Sequence, residues 1–427
     1  MSKKALAFGL AVFLVWVAIA AWAQTTQDRE VVSERLIGNI LLPVIPESIK
    51  ASPDSKRLTY PVKVGNEWFV FVDGWGGEQY DGVMEDTPVF SPDSKRVAYG
   101  AKVGNKWLVV VDGKEGKPYD GVMPRTPIFS PDSKKAAYGA KIGDKRVVVV
   151  DEKEGKRYNA ILQSPPIFSP DSKRVAYGAR EGPNAFVVVD GKEGKPYDWI
   201  GTGTLVFSPD SKRLAYVAAL GNKQFVVVDG KEQKQYDGIM QGSPIFSPDG
   251  KRVAYASHEN SKWFVVVDGK EGKFYDGIMA DSLIFSPDSK KVAYTAQENS
   301  KWFMVVDGNE GKSYDGIGAG TLIFSPDSKR LAYVAALGNK PFVVVDGKEQ
   351  KQYDGIGRGS PIFSPDGKRV AYEAGVGNKR FVVVDGKEGK EYDILVRGGR
   401  IIFDSPNSLH YLAGRADDFY LVEERIE

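Results

Sequence analysis

The stretch IFSPDSKRVAYGAR, residues 167 to 180, places a hydroxyl and a carboxylate two positions apart, at Ser169 and Asp171. A serine beside an acid is a pattern that nucleophilic catalysis can use. The triplet Ser-Pro-Asp recurs, however, with starts at residues 52, 91, 130, 169, 208, 247, 286, 325 and 364, a constant step of 39. Nine copies of one nucleophile do not form one active site, so the motif is interpreted as a structural corner.

Other candidates for chemistry are few. The chain has two histidines, His258 and His410, which are far apart and lack ligand spacing, and it has no cysteine. A zinc or copper site is therefore not expected. The sequence DGIGAG, residues 315–320, precedes no helix and is interpreted as a linker between repeats, and the recurrent VDGKEGK as a hairpin turn. No catalytic residue, metal ligand or cofactor is predicted.

The N-terminus predicts export. Residues 1–23 place Lys3 and Lys4 before a long apolar run that ends in Ala21-Trp22-Ala23, the pattern of a Sec-type bacterial signal peptide, so the mature chain is expected to begin at Gln24. An uncleaved membrane anchor is the other interpretation. Removing the signal leaves 56 basic against 56 acidic residues, which argues against a nucleic-acid binder. The expected location is the periplasm or the exterior, without membrane insertion after cleavage.

One repeat can be divided into four strands. In residues 126–162 these are residues 127–129, 135–141, 146–151 and 156–161, separated by corners rich in Pro, Asp, Ser, Gly and Asn. The third strand, FVVVD in most copies, has no polar face, so other sheets must cover both of its faces. Four antiparallel strands in 39 residues, many times repeated, predict an all-β fold, the β-propeller, with a parallel β-helix as the alternative.

Ring closure can be predicted from the ends of the chain. Residues 401–427 form a degraded unit without a fourth strand, and the apolar stretch Arg35 to Ile45 lies where a fourth strand would precede the first corner. We expect it to complete the last blade, because propellers close their rings in this way and leave no open edge. The division is a signal peptide at 1–23, an N-terminal segment with the closing strand at 24–47 and propeller repeats at 48–427. Ten blades in one ring are expected; two five-bladed rings or an open superhelix are the alternatives.

The string FSPDSKRVAY, with the variant FSPDGKRVAY at Phe246 and Phe363, resembles the WD40-like repeat PD40. That family forms the propeller of the periplasmic protein TolB and propellers of the tricorn and prolyl-oligopeptidase type. The resemblance covers nearly the whole mature chain. It implies that the Pro-Asp corner joins the innermost strand to the second and that the Asp caps backbone amides. The chain has no Gly-x-Ser-x-Gly elbow, so the resemblance implies the propeller without the oligopeptidase enzyme.

Two corners of each repeat vary while the others are constant. The variable corners are those between strands two and three and between strand four and the next blade. In a four-stranded blade these corners are expected on one face, around the channel entrance. Mixed aromatic and charged residues there are typical of a recognition surface. The other interpretations are that tryptophan packs between blades and that the loop sequences vary without a functional reason. The candidate binding residues are Trp68, Trp107, Trp263, Trp302, Arg125, Arg358, Asp86 and Asp281.

These observations predict an exported, non-enzymatic, monomeric scaffold that binds a protein or an envelope polymer and does not bind nucleic acid. The first alternative is an enzyme with its site in the channel, such as a glycan hydrolase or a lyase. The second is a purely structural repeat protein.

Overall fold

The computed structural model describes residues 29–39, 48–162, 165–396, 399–416 and 418–426. Ten antiparallel sheets follow one another along these residues and form a ring, a ten-bladed β-propeller. The fold class and the number of blades are thereby confirmed. The proposed signal peptide and the start of the mature chain at Gln24 lie outside the described residues. Among the described residues, no helix is long and apolar enough to cross a membrane.

The sixth blade shows the plan of the repeat. Two short pieces, Gly238–Ile239 and Ile245–Phe246, both pair with the second strand, Val253–Glu259, and together form the first strand. The third strand, Lys262–Val267, follows a hairpin, and Lys270–Glu271 forms the outer strand. The central residues of the third strand are almost completely buried because neighbouring sheets cover both of its faces, as the apolar sequence predicted.

The strands occupy the same four positions in every blade. The first strands are Lys50–Ala51; Gly82–Val83 and Val89–Phe90; Gly121–Val122 and Ile128–Phe129; Ala160–Ile161 and Ile167–Phe168; Trp199–Ile200 and Val206–Phe207; Gly238–Ile239 and Ile245–Phe246; Gly277–Ile278 and Ile284–Phe285; Gly316–Ile317 and Ile323–Phe324; Gly355–Ile356 and Ile362–Phe363; Ile394–Leu395 and Ile402–Ser405. The second strands are Leu58–Val64, Val97–Val103, Ala136–Ile142, Val175–Glu181, Leu214–Leu220, Val253–Glu259, Val292–Glu298, Leu331–Leu337, Val370–Val376 and Ser408–Arg415. The third strands are Glu67–Val72, Lys106–Val111, Lys145–Val150, Asn184–Val189, Lys223–Val228, Lys262–Val267, Lys301–Val306, Lys340–Val345, Lys379–Val384 and Asp418–Ile426. The outer strands are Trp75–Tyr80, Lys114–Glu115, Lys153–Tyr158, Lys192–Glu193, Lys231–Glu232, Lys270–Glu271, Asn309–Tyr314, Lys348–Glu349, Lys387–Glu388 and Arg29–Asn39.

The fourth strand expected at residues 156–161 is divided between two blades. Lys153–Tyr158 forms the outer strand of the third blade, whereas Ala160–Ile161 pairs with the second strand of the fourth blade. The chain therefore leaves one blade at Asn159 and begins the next blade earlier than the sequence suggested. The apolar pair after Tyr158 looked like the end of one strand because only one residue separates the two pieces.

The core lies between the blades. Each apolar cluster combines residues of two successive sheets; Val265 and Tyr275 of the sixth blade, for example, pack with Tyr294 and Phe303 of the seventh. The Tyr275 ring meets the edges of Tyr294 and Phe303 at centroid distances of 6.2 and 5.8 Å. Edge-to-face contacts of this kind add roughly 0.5–1.5 kcal/mol to the apolar burial. Because each blade is buried only by its neighbours, stability depends on a closed ring.

The N-terminal strand closes the ring, as predicted, but with different bounds. Arg29–Asn39 pairs antiparallel with Asp418–Ile426 and forms the outer strand of the tenth blade. The strand overlaps the expected Arg35 to Ile45 at Arg35–Asn39 but begins earlier, at Arg29, and residues 40–47 lie outside the described residues. Arg29–Asn39 mixes charged and apolar residues, so the apolar stretch was a poor guide to where the strand begins. Leu36, an apolar residue of the expected stretch, is 56% exposed.

Candidate ligand-binding site

The Ser-Pro-Asp corner is held by its own side chains. Ser169 Oγ donates to Asp171 Oδ1 at 2.6 Å and accepts from the amide of Arg174 at 2.9 Å. Asp171 Oδ1 also accepts from the amide of Lys173 at 3.2 Å. The amide of Asp171 donates to Ser211 Oγ in the next blade at 2.9 Å, so the corner also connects blades. The interpretation as a turn with an amide-capping aspartate is confirmed.

Ser169→Ala and Asp171→Ala are expected to behave as turn mutations. Each removes hydrogen bonds worth on the order of 1 kcal/mol in total and leaves every other corner unchanged. The melting temperature should fall slightly, and circular dichroism should show the same β-sheet content as the wild type. Loss of a binding or catalytic activity without loss of the fold would contradict the structural role of this corner.

The first strands are interrupted by four-residue turns, which we call the inner turns. In the second blade the inner turn runs from Met84 to Thr87, and Thr87 Oγ1 donates to the Met84 carbonyl at 2.7 Å. Ser282 closes the inner turn of the seventh blade on the Met279 carbonyl in the same way. The third residue of the turn adopts a positive φ, 63° at Asp86. The backbone of these turns is therefore nearly constant around the ring.

The exposed side chains of the inner turns differ from blade to blade. The first strand is the inner strand of each blade, and in the fifth and sixth blades the pieces Val206–Phe207 and Ile245–Phe246 contact each other, so we assign the inner turns to the channel side of the ring. The second and third residues of each turn project from it, and all are exposed except Gly242, which is half-buried. They are Glu85-Asp86, Pro124-Arg125, Thr202-Gly203, Gln241-Gly242, Ala280-Asp281, Ala319-Gly320 and Arg358-Gly359. Gln163 and Ser164, which follow the same pattern in sequence, lie outside the described residues.

The expectation that both variable corners share one face requires correction. Hairpins between strands two and three lie at one end of each blade, where the first strand begins. Inner turns lie midway along the first strand, between its two pieces. The strand assignment that joined residues 156–161 concealed this interruption.

The four candidate tryptophans occupy a different environment from the inner turns. Each is the second residue of a third strand and is half-buried. Trp302 packs on a cluster that includes Tyr333 of the next blade, and Trp263 packs on the cluster of the sixth and seventh blades. The Trp263 ring also lies 4.9 Å from the ring of His258. The eight predicted binding residues thus form two groups, with Trp68, Trp107, Trp263 and Trp302 near the hairpins and Asp86, Arg125, Asp281 and Arg358 in the inner turns.

The hairpins are fixed by bridging aspartates. Asp120 accepts from Lys106 Nζ of its own blade at 2.5 Å and from the amide of Gly143 in the next blade at 2.7 Å. These hydrogen bonds, that from Lys106 first, hold the pKa of Asp120 below its usual value. Equivalent bridges recur around the ring, for example at Asp276. The scaffold therefore presents its side chains from a rigid frame.

Sequence reasoning missed a cavity of about 890 Å³ that extends over the third to fifth blades. Its lining includes Arg125, which was predicted, and also Arg146, Arg180 and Trp199, which were not. A signal for Trp199 was present, because six of the eight other blades with an equivalent residue have glycine there.

Glu373 is a half-buried carboxylate behind the inner turn of the ninth blade. It lies against Gly357 and lines a small cavity with Arg358 and Ser360. Burial raises the pKa of Glu373, and the charge of Arg380 opposes this effect only partly. Among the described residues Glu373 has no ion-pair partner, so its ionised form destabilises the fold.

Glu373→Val is expected to stabilise the protein at neutral pH by on the order of 1 kcal/mol. Valine occupies the equivalent position in the fifth and eighth blades, as Val217 and Val334. Because the pKa is raised, wild-type stability falls as the pH rises through the shifted pKa, so the advantage of the variant should shrink in acid. Thermal melting of the variant and of an exposed control, Glu391→Val, tests this. An unchanged or lower melting temperature for Glu373→Val would contradict the assignment.

The two histidines have structural contacts. Both ring nitrogens of His410 face acceptors, with Asp404 2.8 Å from Nδ1 and the Asp54 carbonyl 2.9 Å from Nε2. The second contact joins the tenth blade to the first. Among the described residues, no group of three or more His, Cys, Asp and Glu side chains could hold a metal ion.

The ring and its displayed turns define the chain as a ten-bladed β-propeller. No protein family model matches the sequence, so none confirms the PD40 resemblance, and no curated protein matches it either.

The chain is similar to several solved structures. One is described as a eukaryotic initiation factor, with 12% identity over 81% of this chain and 96% of that chain and a TM-score of 0.48. A second is TolB from Acinetobacter baumannii, with 15% identity, 68% and 79% coverage and a TM-score of 0.29. A third is the dihydro-heme d1 dehydrogenase NirN, with 16% identity, 75% and 77% coverage and a TM-score of 0.35.

Proposed function

We propose that the protein is an exported, non-enzymatic scaffold that binds a protein or an envelope polymer through its inner turns. The observation that carries this proposal is the contrast between a constant turn backbone and variable exposed side chains. Thr87 and Ser282 close equivalent turns with the same hydrogen bond, yet the turns display Glu85-Asp86 in one blade and Ala280-Asp281 in the other. Side chains that vary on an unchanged turn backbone are suited to recognition of a ligand.

Comparison of blades supports this view. Residues 212–239 and 329–356 are identical except for Gln224 and Pro341, so the fifth and eighth blades are nearly interchangeable building units. Their inner turns are uncharged. Charged inner turns occur in the second, third, seventh and ninth blades, as Glu85-Asp86, Arg125, Asp281 and Arg358. Folding does not require these charges, since the uncharged turns have the same geometry.

A non-enzymatic role is supported by the structural hydrogen bonds in which the titratable groups take part. The corner aspartates bind backbone amides, the bridging aspartates bind lysines and amides of the hairpins, and His410 has acceptors at both ring nitrogens. The resemblance to the PD40 repeat of TolB supports a periplasmic location. Fractionation of cells expressing the chain with and without residues 1–23 tests export, because only the complete chain should leave the cytoplasm.

Replacing the charged inner turns tests the binding role. The replacement protein carries Glu85→Ala, Asp86→Gly, Arg125→Gly, Asp281→Gly and Arg358→Ala, which gives these turns the uncharged character of Ala319-Gly320. Glycine accepts the positive φ of the third position, so the fold should be retained. Partners recovered from the native envelope with wild-type protein should be lost with the replacement protein and kept with the control Lys329→Ala, an exposed residue beside a Ser-Pro-Asp corner. Equal recovery of partners with the wild-type and the replacement protein would overturn the proposed function.

A further inference from the structure

Four successive blades carry a cation at one position of the second strand. The residues are Lys63, Lys102, Lys141 and Arg180. The equivalent residues of the remaining blades are uncharged or a histidine: Ala219, His258, Gln297, Ala336, Gly375 and Gly414. In the blades whose first strand has two pieces, the cation pairs with the start of that strand. Lys102 pairs with Gly82, and Lys141 pairs with Gly121. One side of the ring therefore presents a row of positive charge.

These cations lack the carboxylate partners that most lysines of this protein have. Lys106 pairs with Asp120 at 2.5 Å and Lys145 with Glu181 at 2.6 Å, but none of the four cations in the row forms an ion pair with a described residue. Arg180 donates only to the carbonyls of Pro183 and Asp198, at 3.3 and 3.2 Å. The row can therefore bind an external anion without first breaking an ion pair.

The cavity of the third to fifth blades concentrates this charge. Arg125, Lys141, Arg146 and Arg180 line it, and none of its described lining residues carries a carboxylate. Arg146 donates to the carbonyl of Asn159 at 3.1 Å, and Asn159 occupies the position at which the other blades have a bridging aspartate. Glu181 takes the place of that aspartate, because it pairs with Lys145 at 2.6 Å and accepts from the amide of Asn159 at 2.9 Å. The positive charge of the cavity therefore comes from the four cations of its lining.

Trp199 provides an aromatic surface at the same cavity. It begins the first strand of the fifth blade and is 39% exposed. It pairs with Ala219, whereas Gly316 pairs with Ala336 in the nearly identical eighth blade. The blade therefore folds with glycine at this position, and packing does not explain the tryptophan. An exposed tryptophan beside guanidinium groups is suited to packing against the ring of an anionic ligand.

We propose that this cavity binds a carboxylated glycan of the polyuronate class, whose chain continues along Lys102 and Lys63. This inference rests on the proposed function and names the ligand class of one sector of the ring. Guanidinium groups bind carboxylates through paired hydrogen bonds, and the indole face of Trp199 packs against the C–H face of a sugar ring. The cations recur once per blade in four successive blades, and Trp199 among them favours a charged sugar polymer over an acidic peptide, which would leave the indole unused.

Titration calorimetry with the mature protein tests the inference. The probes are oligogalacturonate, its methyl ester, which keeps the sugar chain and removes the charge, and oligoglutamate as an acidic peptide. Oligogalacturonate should bind, binding should weaken with salt, and the ester should bind at least about tenfold more weakly. Equal binding of the ester would overturn the role of charge, and equal or tighter binding of oligoglutamate would overturn the glycan class.

Variants copied from other blades keep the fold while they change the cavity. Arg180→Ala reproduces Ala219 and Ala336, and Trp199→Gly reproduces Gly316. Each should weaken oligogalacturonate binding about tenfold, whereas the control Lys329→Ala, in the eighth blade, should not change it. Unchanged affinity in both cavity variants, or no binding to the wild type, would overturn this inference. Recovery of partners that depends on the inner turns would then still stand, so the two proposals can fail separately.

Discussion

Deletion of residues 24–39 is expected to lower the melting temperature markedly and to make the protein associate. The deletion removes the outer strand of the tenth blade and exposes the whole edge of Asp418–Ile426. Glu34 accepts from Tyr392 at 2.5 Å and from Lys390 at 2.9 Å, so the strand also ties the tenth blade to the ninth. An exposed strand edge pairs readily with other chains.

The loss of stability comes mainly from opening the ring, because the strand's own hydrogen bonds are offset by the entropy of ordering it. Ladder hydrogen bonds contribute on the order of 1 kcal/mol each, and ordering the strand costs about 1–2 kcal/mol per residue. Differential scanning calorimetry and light scattering measure stability and association. Val31→Asp, in the core cluster of the tenth blade, should reproduce part of the loss, and Val32→Asp, at a residue 55% exposed, should not. A deletion protein that stays monomeric with unchanged melting would contradict closure by this strand.

Stability is expected to fall steeply below about pH 4, where carboxylates begin to take up protons. Three repeated sets of carboxylates accept hydrogen bonds from side chains, and these bonds lower their pKa values. The corner set is Asp93, Asp132, Asp171, Asp210, Asp249, Asp288, Asp327 and Asp366. The hairpin set is Asp120, Asp237, Asp276, Asp315, Asp354 and Asp393. The set between outer strands is Glu154, Glu193, Glu232, Glu271, Glu310, Glu349 and Glu388.

The sign of the effect follows from the lowered pKa values. The unfolded chain binds protons more tightly than the folded protein, so the stabilisation is complete above the unfolded pKa and is lost as the pH falls through the folded values. All of these groups except the half-buried Glu154 are exposed and each contributes little, but the repeats add their effects. Melting temperatures measured from neutral to acid pH should be flat above about pH 5 and then drop. A flat profile down to about pH 3 would contradict this account.

The sequence was sufficient to predict much of the architecture. The 39-residue step, the corner residues and the apolar third strand together indicated a β-propeller, and the degraded unit at residues 401–427 indicated closure by the N-terminus. These signals are strong because they repeat. Ser169 and Asp171 were assigned correctly to a turn for the same reason.

Other features could not be recognised from a local pattern. The two pieces of the first strand are mostly two residues long, too short to show an alternation of polar and apolar residues, so the inner turns looked like connections between blades. The closing strand was placed too late because the apolar run that follows Asn39 is more conspicuous in the sequence than the mixed charged and apolar residues of Arg29–Asn39. The cationic cavity depends on residues from three blades, Arg125, Arg180 and Trp199 among them, which only the folded ring brings together.

The central claim is that ligand binds at the inner turns, and hydrogen exchange of the bound protein measures this most directly. Peptides that cover the inner turns differ in sequence between blades, so mass spectrometry can assign protection to each of them. Bound partner should slow exchange at 84–87, 123–126, 279–282 and 357–360 and leave the Ser-Pro-Asp corners unchanged. Protection confined to the corners or to the outer strands would contradict the account.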